Sequence, residues 1–220
     1  MNKWDERYAS EEFYFGTKPN AFLVSQQLLL KPGMSCLAVA DGEGRNGVWL
    51  AQQGLRVLSV ESSPVALEKA RKLAEQRGVT DGTNSHLTRL PNNASQVIGY
   101  VEFEQADLSQ WQWGENRFDM VAAIFIQFAH PALREQMFEG IRRCLKPGGL
   151  LLLQGYTPRQ LEYKTGGPPA AENMYTEALL REAFGDMEII HLREHDDHVS
   201  EGAGHSGMSA LIDLVARKVA

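Results

Sequence analysis

Short apolar runs alternate along this chain with segments that have the spacing of amphipathic helices, and this alternation most limits the folds open to it. The runs at 34–40 and 55–61 are nearly continuous in apolar residues, as is typical of parallel strands buried on both faces. Three later runs extend the pattern, at 100–108, 118–125 and 150–156. Strands that alternate with helices predict an α/β fold in which helices cover both faces of a parallel sheet.

Capping residues predict where the helices lie. Asn20 precedes the apolar segment 21–30, and Ser63 precedes Pro64 at the head of a segment that runs to Gly78. Asn and Ser side chains accept hydrogen bonds from the free N–H groups of a first turn, and Pro is favoured at the first helical position. Further helices are predicted at 48–53, 130–145 and 175–184.

Two other stretches complete the expected organisation. The runs at 187–195 and 208–218 have no helix between them, which predicts an antiparallel hairpin at one edge of the sheet. The stretch 79–99 is rich in turn residues and is predicted to be a loop insertion. We therefore expect a single domain over 1–220 that begins with an arm and a helix at 1–30.

Composition narrows the classes of partner and location. The net charge is −6 and the basic residues are scattered, whereas nucleic-acid binding depends on clustered Lys and Arg. No stretch is apolar over the roughly 18 residues that a membrane-spanning helix requires, and the first residues do not resemble a signal peptide. Cys36 and Cys144 lie in apolar strings and are predicted to be buried thiols. These features predict a cytoplasmic protein that binds neither nucleic acid nor a membrane, and we expect a monomer or homodimer.

Gly42, Gly44 and Gly47 fit the pattern G-x-G-x-x-G between a predicted strand and a predicted helix. This pattern lets a nucleotide approach the backbone, although a purely structural turn has the same need for glycine. Glu61 ends the next strand, where a carboxylate can accept hydrogen bonds from both hydroxyls of a ribose. Asp107 ends the third strand, where it can accept from an adenine amino group. The glycine loop and Glu61 alone fit a nicotinamide dehydrogenase and a methyltransferase equally well.

The order of these features, followed by L-K-P-G-G at 145–149, resembles the class I S-adenosylmethionine-dependent methyltransferases. W-D-E-R-Y, F-G-T-K-P-N, G-E-G-R-N, T-G-G-P and E-G-A-G-H-S-G are similar to segments of small bacterial tellurite-resistance-type methyltransferases. The resemblance covers nearly the whole chain except 79–99. It implies a Rossmann-like class I methyltransferase fold, a seven-stranded, mainly parallel sheet with helices on both faces and an antiparallel last strand. It also implies S-adenosyl-L-methionine as cofactor and methyl transfer to a small acceptor, with a chalcogen oxyanion and a small metabolite both open.

The resemblance further implies cofactor contacts from the glycine loop and from the ends of the next three strands. These residues are Ala40, Asp41, Gly42, Gly44, Arg45, Asn46, Glu61, Ser62, Asp107, Leu108 and Ile124. Two positions depart from the family pattern, which usually has Asp and Gly where this chain has Ala38 and Ala40. Asp41 is a candidate to contact the cofactor's ammonium in place of the missing acid.

Candidate acceptor-side residues follow the fourth strand and lie in the final hairpin. Gln127 is predicted either to orient an acceptor or to be an ordinary loop residue, whereas His130, just before Pro131, is predicted to cap a helix. His205, in the E-G-A-G-H-S-G turn, is the main candidate for acid–base catalysis, with a structural role in the turn as the alternative.

A metal site is the alternative interpretation of the histidines in the final hairpin. His191, His195 and Asp197 alternate along a predicted strand, so they share one face. Histidines and acids on an exposed edge are more often solvated, and the family needs no metal. We predict no metal ligands.

Two alternatives to methyl transfer stay open from the sequence. A nicotinamide-binding oxidoreductase would use the literal G-x-G-x-x-G, and thermal stabilisation by one cofactor or the other distinguishes the two. A non-catalytic S-adenosylmethionine-binding protein is compatible with Ala38 and Ala40, and release of S-adenosylhomocysteine would exclude it.

Overall fold

The computed structural model describes residues 3–82 and 99–219. The chain forms two compact units, Met1–Asp107 and Leu108–Ala220. The single domain expected over 1–220 remains a prediction.

The first unit contains four parallel strands in the order β3-β4-β2-β1. They are β1 (Ser35–Val39), β2 (Arg56–Glu61), β3 (Thr80–Asp81) and β4 (Tyr100–Gln105). Three of these were predicted. The two-residue β3 lies in the stretch 79–99, where a loop was expected, and residues 83–98 of that stretch lie outside the described part of the chain.

Of the four α-helices described in the first unit, α2 and α4 begin where the capping residues predict. They are α1 (Lys3–Tyr8), α2 (Ala21–Ser25), α3 (Arg45–Gln52) and α4 (Pro64–Gln76), with a 3₁₀ helix at Gln27–Leu29. The Asn20 side chain accepts from Leu23 N at 3.0 Å, and Ser63 Oγ accepts from Ala66 N at 3.2 Å. The helix expected over 21–30 is split. The helix α3 begins three residues earlier than expected, directly after Gly44, so that Gly47 of the G-x-G-x-x-G pattern lies in its first turn.

The second unit confirms the predicted hairpin and its reversed strand. Its order is β5-β6-β8-β7, with β5 parallel to β6 and β8 antiparallel to both of its neighbours. The strands are β5 (Phe118–Ile124), β6 (Leu145–Tyr156), β7 (Glu188–Glu201) and β8 (His205–Arg217). The described residues thus hold eight strands where seven were predicted, and the extra one is β3.

The helices of the second unit are α5 (Pro131–Cys144), α6 (Gln160–Tyr163) and α7 (Glu177–Phe184), with a 3₁₀ helix at Ala171–Asn173. His130 caps α5 as predicted, because its Nδ1 accepts from Leu133 N at 3.4 Å. The K-P-G-G segment differs from the prediction, since β6 already begins at Leu145. Its register is irregular there, with Phe118 opposite Leu145 and Met120 opposite Leu150, so the extra residues bulge out of the ladder.

Continuous burial in β1 and in the second half of β6 confirms that both faces of these predicted strands are covered. Cys36 to Val39 are each at most 2% exposed in β1, and Leu151 to Leu153 are fully buried in β6. Cys36 and Cys144 are both buried, as predicted. Within the described parts of the chain, none of the helices combines the length and apolarity that crossing a bilayer demands.

Candidate functional site

The glycine loop leaves β1 through a series of left-handed residues. Gly42 and Gly44 have φ of +58° and +84°. A Cβ on Gly44 would lie 2.7 Å from Ala70 Cβ of α4, and one on Gly42 would lie 2.9 Å from the Tyr8 hydroxyl oxygen. Both positions therefore require glycine for space as well as for conformation. Ala40 also has a positive φ, +48°, which is strained for a residue with a Cβ.

The Glu61 carboxylate binds the glycine loop to the end of β2. Glu61 is 5% exposed, and its Oε2 accepts from Gly42 N at 3.1 Å. Its Oε1 accepts from Ser62 N at 2.8 Å and Ser63 N at 2.9 Å, and from Ser62 Oγ at 3.1 Å. The backbone O of Glu61 accepts from Ala106 N at 3.0 Å. The structure thus brings Glu61 to Gly42, and the predicted cofactor contacts of Glu61 and Ser62 stay a prediction.

The Asp41 side chain turns back onto the start of α3. Its Oδ1 and Oδ2 lie 3.2 Å and 3.1 Å from Gly47 N, and Ser59 Oγ donates to Oδ2 at 3.0 Å. Burial raises the pKa of this carboxyl from 3.8 to about 7, against the hydrogen bonds from Ser59 and Gly47, which lower it. Its predicted contact with an ammonium stays a prediction.

Arg45 and Asn46 bind the segment 3–20, which we call the arm. Arg45 Nη1 donates to Lys18 O at 3.3 Å, and Asn46 Oδ1 accepts from Asn20 N at 2.9 Å. Both side chains are 7% exposed. The loop residues expected to contact a cofactor therefore also hold the arm in place.

Tyr8 brings the arm directly over the loop. It is 4% exposed, and its ring stacks on Trp4 at 5.9 Å and meets Phe15 edge-on at 6.2 Å. Burial raises the pKa of its phenol, and the charges of Glu61 and Glu43 raise it further.

Sequence reasoning missed Glu43 and Lys69, which form a buried ion pair. Lys69 Nζ lies 2.5 Å from Glu43 Oε1, and the two residues are 8% and 3% exposed. The sequence did contain a signal, because Lys69 shares the apolar face of α4 with Ala66 and Leu73. A charged residue on such a face needs a buried partner.

The remaining cofactor candidates lie at strand ends. Asp107 is exposed, two residues beyond β4, and is the last residue of the first unit. Leu108 and Ile124 belong to the second unit and are each 8% exposed. Ile124 is the final residue of β5.

Gln127 is buried and bound to the backbone of one residue. Its Nε2 donates to Tyr156 O at 2.8 Å, and its Oε1 accepts from Tyr156 N at 2.6 Å. The side-chain amide therefore pairs with Tyr156 as a strand neighbour would. This geometry fixes the end of β6, and the proposed contact with an acceptor stays untested.

His205 lies in a buried aromatic cluster at the start of β8. It is 8% exposed, and its ring centroid is 4.4 Å from that of Phe125 and 5.6 Å from that of Tyr156. Its Nδ1 is 3.7 Å from Glu201 Oε2 across the hairpin. This distance is too long for a hydrogen bond, but a carboxylate so close attracts the ring in its protonated form.

The other hairpin histidines do not converge with one another. His195 Nε2 lies 2.8 Å from Asp213 Oδ2, and Gln154 donates to the other oxygen of Asp213 at 2.6 Å. Among residues 3–82 and 99–219, no group of three or more His, Cys, Asp or Glu side chains is placed to hold a metal ion.

Comparison with known sequences gives a family match. Residues 37–153, just over half of the 220 residues, match the family model described as a methyltransferase domain. An uncharacterized methyltransferase of Synechocystis is 30% identical over 129 residues, which cover 58% of this chain and 50% of the relative. The chain thus spans about half the length of this curated relative.

Solved structures with low sequence identity share the fold. The N-methyltransferase NodS from Bradyrhizobium japonicum, in complex with S-adenosyl-L-homocysteine, has a TM-score of 0.67 at 12% identity, over 98% of this chain and 96% of NodS. TehB from Haemophilus influenzae has a TM-score of 0.66 at 14% identity, over 98% of this chain and 65% of TehB. These similarities confirm the Rossmann-like α/β fold.

Ala40→Gly should stabilise the protein, because glycine adopts a positive φ without the strain that a Cβ brings. Removing roughly 1–3 kcal/mol of strain outweighs the roughly 0.4–1 kcal/mol lost to the greater freedom of the unfolded chain. Urea unfolding should show a higher midpoint. Ala38→Gly, in the same buried segment but without a positive φ, should lower it, and a lower midpoint for both variants would contradict the strain at Ala40.

Asp41→Asn should change how stability depends on pH. The folded protein keeps a proton on Asp41 between about pH 4 and 7, whereas the unfolded chain has released it, so this group makes stability fall as pH rises through that window. The amide cannot ionise, and the stability of the variant relative to the parent should therefore rise from pH 5 to pH 8. Urea unfolding at several pH values measures this, and a pH-independent difference would show that Asp41 titrates normally.

Proposed function

The chain belongs to the methyltransferase domain family, and on that premise we propose that it transfers a methyl group from S-adenosyl-L-methionine to a small-molecule acceptor. The observation that carries the proposal is the buried Glu61 carboxylate, hydrogen-bonded to Gly42 of the glycine loop. The family match gives no support to the alternative of a nicotinamide-dependent oxidoreductase.

The donors and acceptors of the first unit fit a nucleoside ligand. Each oxygen of an ionised carboxylate can accept about two hydrogen bonds. Glu61 Oε1 already accepts three from Ser62 and Ser63, whereas Oε2 accepts one, from Gly42 N. Oε2 therefore has capacity for a ribose hydroxyl. In this conformation Glu61 can therefore accept one strong hydrogen bond from a ribose hydroxyl, whereas the sequence implied two.

The loop residues would hold the rest of the cofactor by shape and backbone contact. Gly42 and Gly44 keep side chains out of the turn, and Asp41, Arg45 and Asn46 fix its path. S-adenosylmethionine supplies a methyl group already activated on a sulfonium, so the protein's main task is alignment. Positioning alone can lower such a barrier by roughly 7–11 kcal/mol.

On the acceptor side we propose that His205 removes or holds a proton. The Glu201 carboxylate lies 3.7 Å from Nδ1, where it favours a positive charge on the ring, and the neighbouring rings of Phe125 and Tyr156 limit what can approach it. Gln127 acts as a positioning residue through its two hydrogen bonds to Tyr156. The acceptor is a chalcogen oxyanion or a small metabolite.

We also propose that the protein works in the cytoplasm as a monomer or homodimer, without nucleic acid or membrane as partner. The net charge of −6 supports the expectation that neither nucleic acid nor a membrane is a partner, because a negatively charged surface repels phosphate backbones and anionic lipids.

Titration calorimetry and an acceptor screen test the proposed activity. S-adenosylmethionine should bind in the micromolar range, about −8 kcal/mol, and NAD should not bind. Release of S-adenosylhomocysteine in the presence of one acceptor would establish turnover. Binding of NAD without binding of S-adenosylmethionine would overturn the proposal.

Glu61→Gln and His205→Ala should have opposite kinetic effects. Glu61 lies at the ribose end, so its loss weakens ground and transition states equally and should raise the cofactor KM by about tenfold or more with little change in kcat. His205→Ala should lower kcat and leave cofactor affinity unchanged. Glu68→Gln, exposed on α4, is the control and should match the parent.

Circular dichroism should first show that each variant is folded. If Glu61→Gln binds S-adenosylmethionine as tightly as the parent, the carboxylate only organises the loop. Unchanged kcat in His205→Ala would leave that histidine with a structural role in the hairpin.

A further inference from the structure

We infer that Glu43 and Lys69 are positioning residues that hold the arm closed over the glycine loop, so that arm closure and cofactor binding are coupled. The inference rests on the proposed function for the identity of the ligand. The contact of the Glu43–Lys69 pair with the arm, which we call the clamp, is a property of the first unit that can be measured without ligand.

Lys69 binds both the arm and the glycine loop. Its ammonium donates to three carbonyl groups of the arm, Glu12 O at 2.6 Å, Ser10 O at 2.9 Å and Tyr8 O at 3.4 Å. It also forms an ion pair with Glu43 Oε1 of the glycine loop at 2.5 Å. A single cation therefore joins the two segments.

Glu43 completes the connection from the loop side. Its Oε2 accepts from Phe15 N at 3.3 Å, while its Oε1 faces Lys69. The carboxylate thus binds the arm both directly and through the ammonium. The ring of Phe13 covers the ammonium at 5.2 Å, so the closed arm supplies the solvation that water would supply if it opened.

Aromatic and polar contacts together hold the arm. Among residues 3–20, Tyr8 and Asn20 are buried, and Trp4, Phe13, Tyr14 and Phe15 are half-buried. The polar anchors include the hydrogen bonds from Ser63 Oγ to Asp5 at 2.7 Å and from Arg45 to Lys18 O. Removing one partner of a buried ion pair leaves the other charge buried without compensation, which is strongly destabilising. Loss of Lys69 or Glu43 should therefore shift the arm toward open states, in which water solvates the remaining charge.

The arm is anchored on the same loop that the proposed function assigns to the cofactor. Tyr8 lies over Gly42, and Arg45 and Asn46 hold the far end of the arm. If the ligand binds the closed form, its apparent Kd is the intrinsic value divided by the closed fraction. Reciprocity then requires that the ligand also close the arm.

The test compares Lys69→Met with Lys72→Met. Lys72 lies on the same helix, is exposed and pairs with Glu68, so it controls for loss of a lysine on α4. Hydrogen exchange by mass spectrometry should show faster exchange of arm amides in Lys69→Met without ligand, and unchanged exchange in β1 and β2. Calorimetry should show that S-adenosylmethionine binds at least tenfold more weakly. Lys72→Met should match the parent within twofold in both measurements.

A second variant separates the clamp from general stability. Glu43→Gln keeps an oxygen for Phe15 N but removes the charge that faces Lys69, so it should open the arm less than Lys69→Met. The double variant should lose less than the sum of the single losses, because the two residues act as a pair. Additive losses would overturn their joint role. If Lys69→Met does not fold, Glu43→Gln alone must show faster arm exchange, and parent-like exchange would refute the clamp.

The parent protein tests the coupling without mutation. Saturating S-adenosylmethionine should slow exchange in peptides that cover the arm, and no change would overturn the coupling. If S-adenosylmethionine does not bind the parent at all, the proposed function fails, whereas the ligand-free exchange of Lys69→Met still decides whether the clamp exists.

Discussion

The buried carboxylate of Glu61 is the interaction on which the site of the first unit depends. It joins two segments, because it accepts N–H groups from Gly42 of the glycine loop and from Ser62 and Ser63 between β2 and α4. Hydrogen bonds to a charged acceptor contribute roughly 1.5–3 kcal/mol each, so these bonds together exceed the roughly 1–3 kcal/mol of strain expected at Ala40. The left-handed path of the loop is therefore held by the end of the neighbouring strand, and a change in that one side chain would affect the turn, the start of α4 and the proposed ribose contact together.

Much of the fold was predictable because local rules and tertiary packing agree. Asn20, Ser63 and His130 all cap helices as their residue types predict, and the nearly continuous apolar runs are strands. The predicted strands of the hairpin, 187–195 and 208–218, are shorter than β7 and β8, and the reason is physical. The extended part of β7, at 196–201, is polar and mostly exposed, so an outer strand there has no apolar periodicity to reveal it. The two-residue β3 and the early start of α3 likewise have no signal in hydrophobic spacing.

The site was predictable only in part. Gly42 and Glu61 come together because the carboxyl ends of neighbouring parallel strands meet at one edge, which topology alone dictates. The directions of the Asp41, Arg45 and Asn46 side chains depend on hydrogen-bond partners that sequence spacing does not identify. Gln127 is a similar case, since its pairing with the Tyr156 backbone requires knowing where β6 ends. The position of Lys69 on the apolar face of α4 indicates that it needs a buried partner. The identity of that partner could not be predicted, because it depends on how the arm and the glycine loop pack against α4.

The arm also sets an order of events during synthesis. The carbonyl groups of Tyr8, Ser10 and Glu12 precede the ammonium that binds them by 57 to 61 positions. A nascent chain therefore exposes this aromatic-rich segment on the ribosome well before α4 has emerged to receive it. Until then, water surrounds the apolar side chains of Trp4, Phe13 and Phe15. These residues lie close in sequence to four acidic ones, Asp5, Glu6, Glu11 and Glu12. Acidic neighbours of this kind keep an unpaired apolar segment soluble, which gives the charge pattern of the arm a role before the protein is folded.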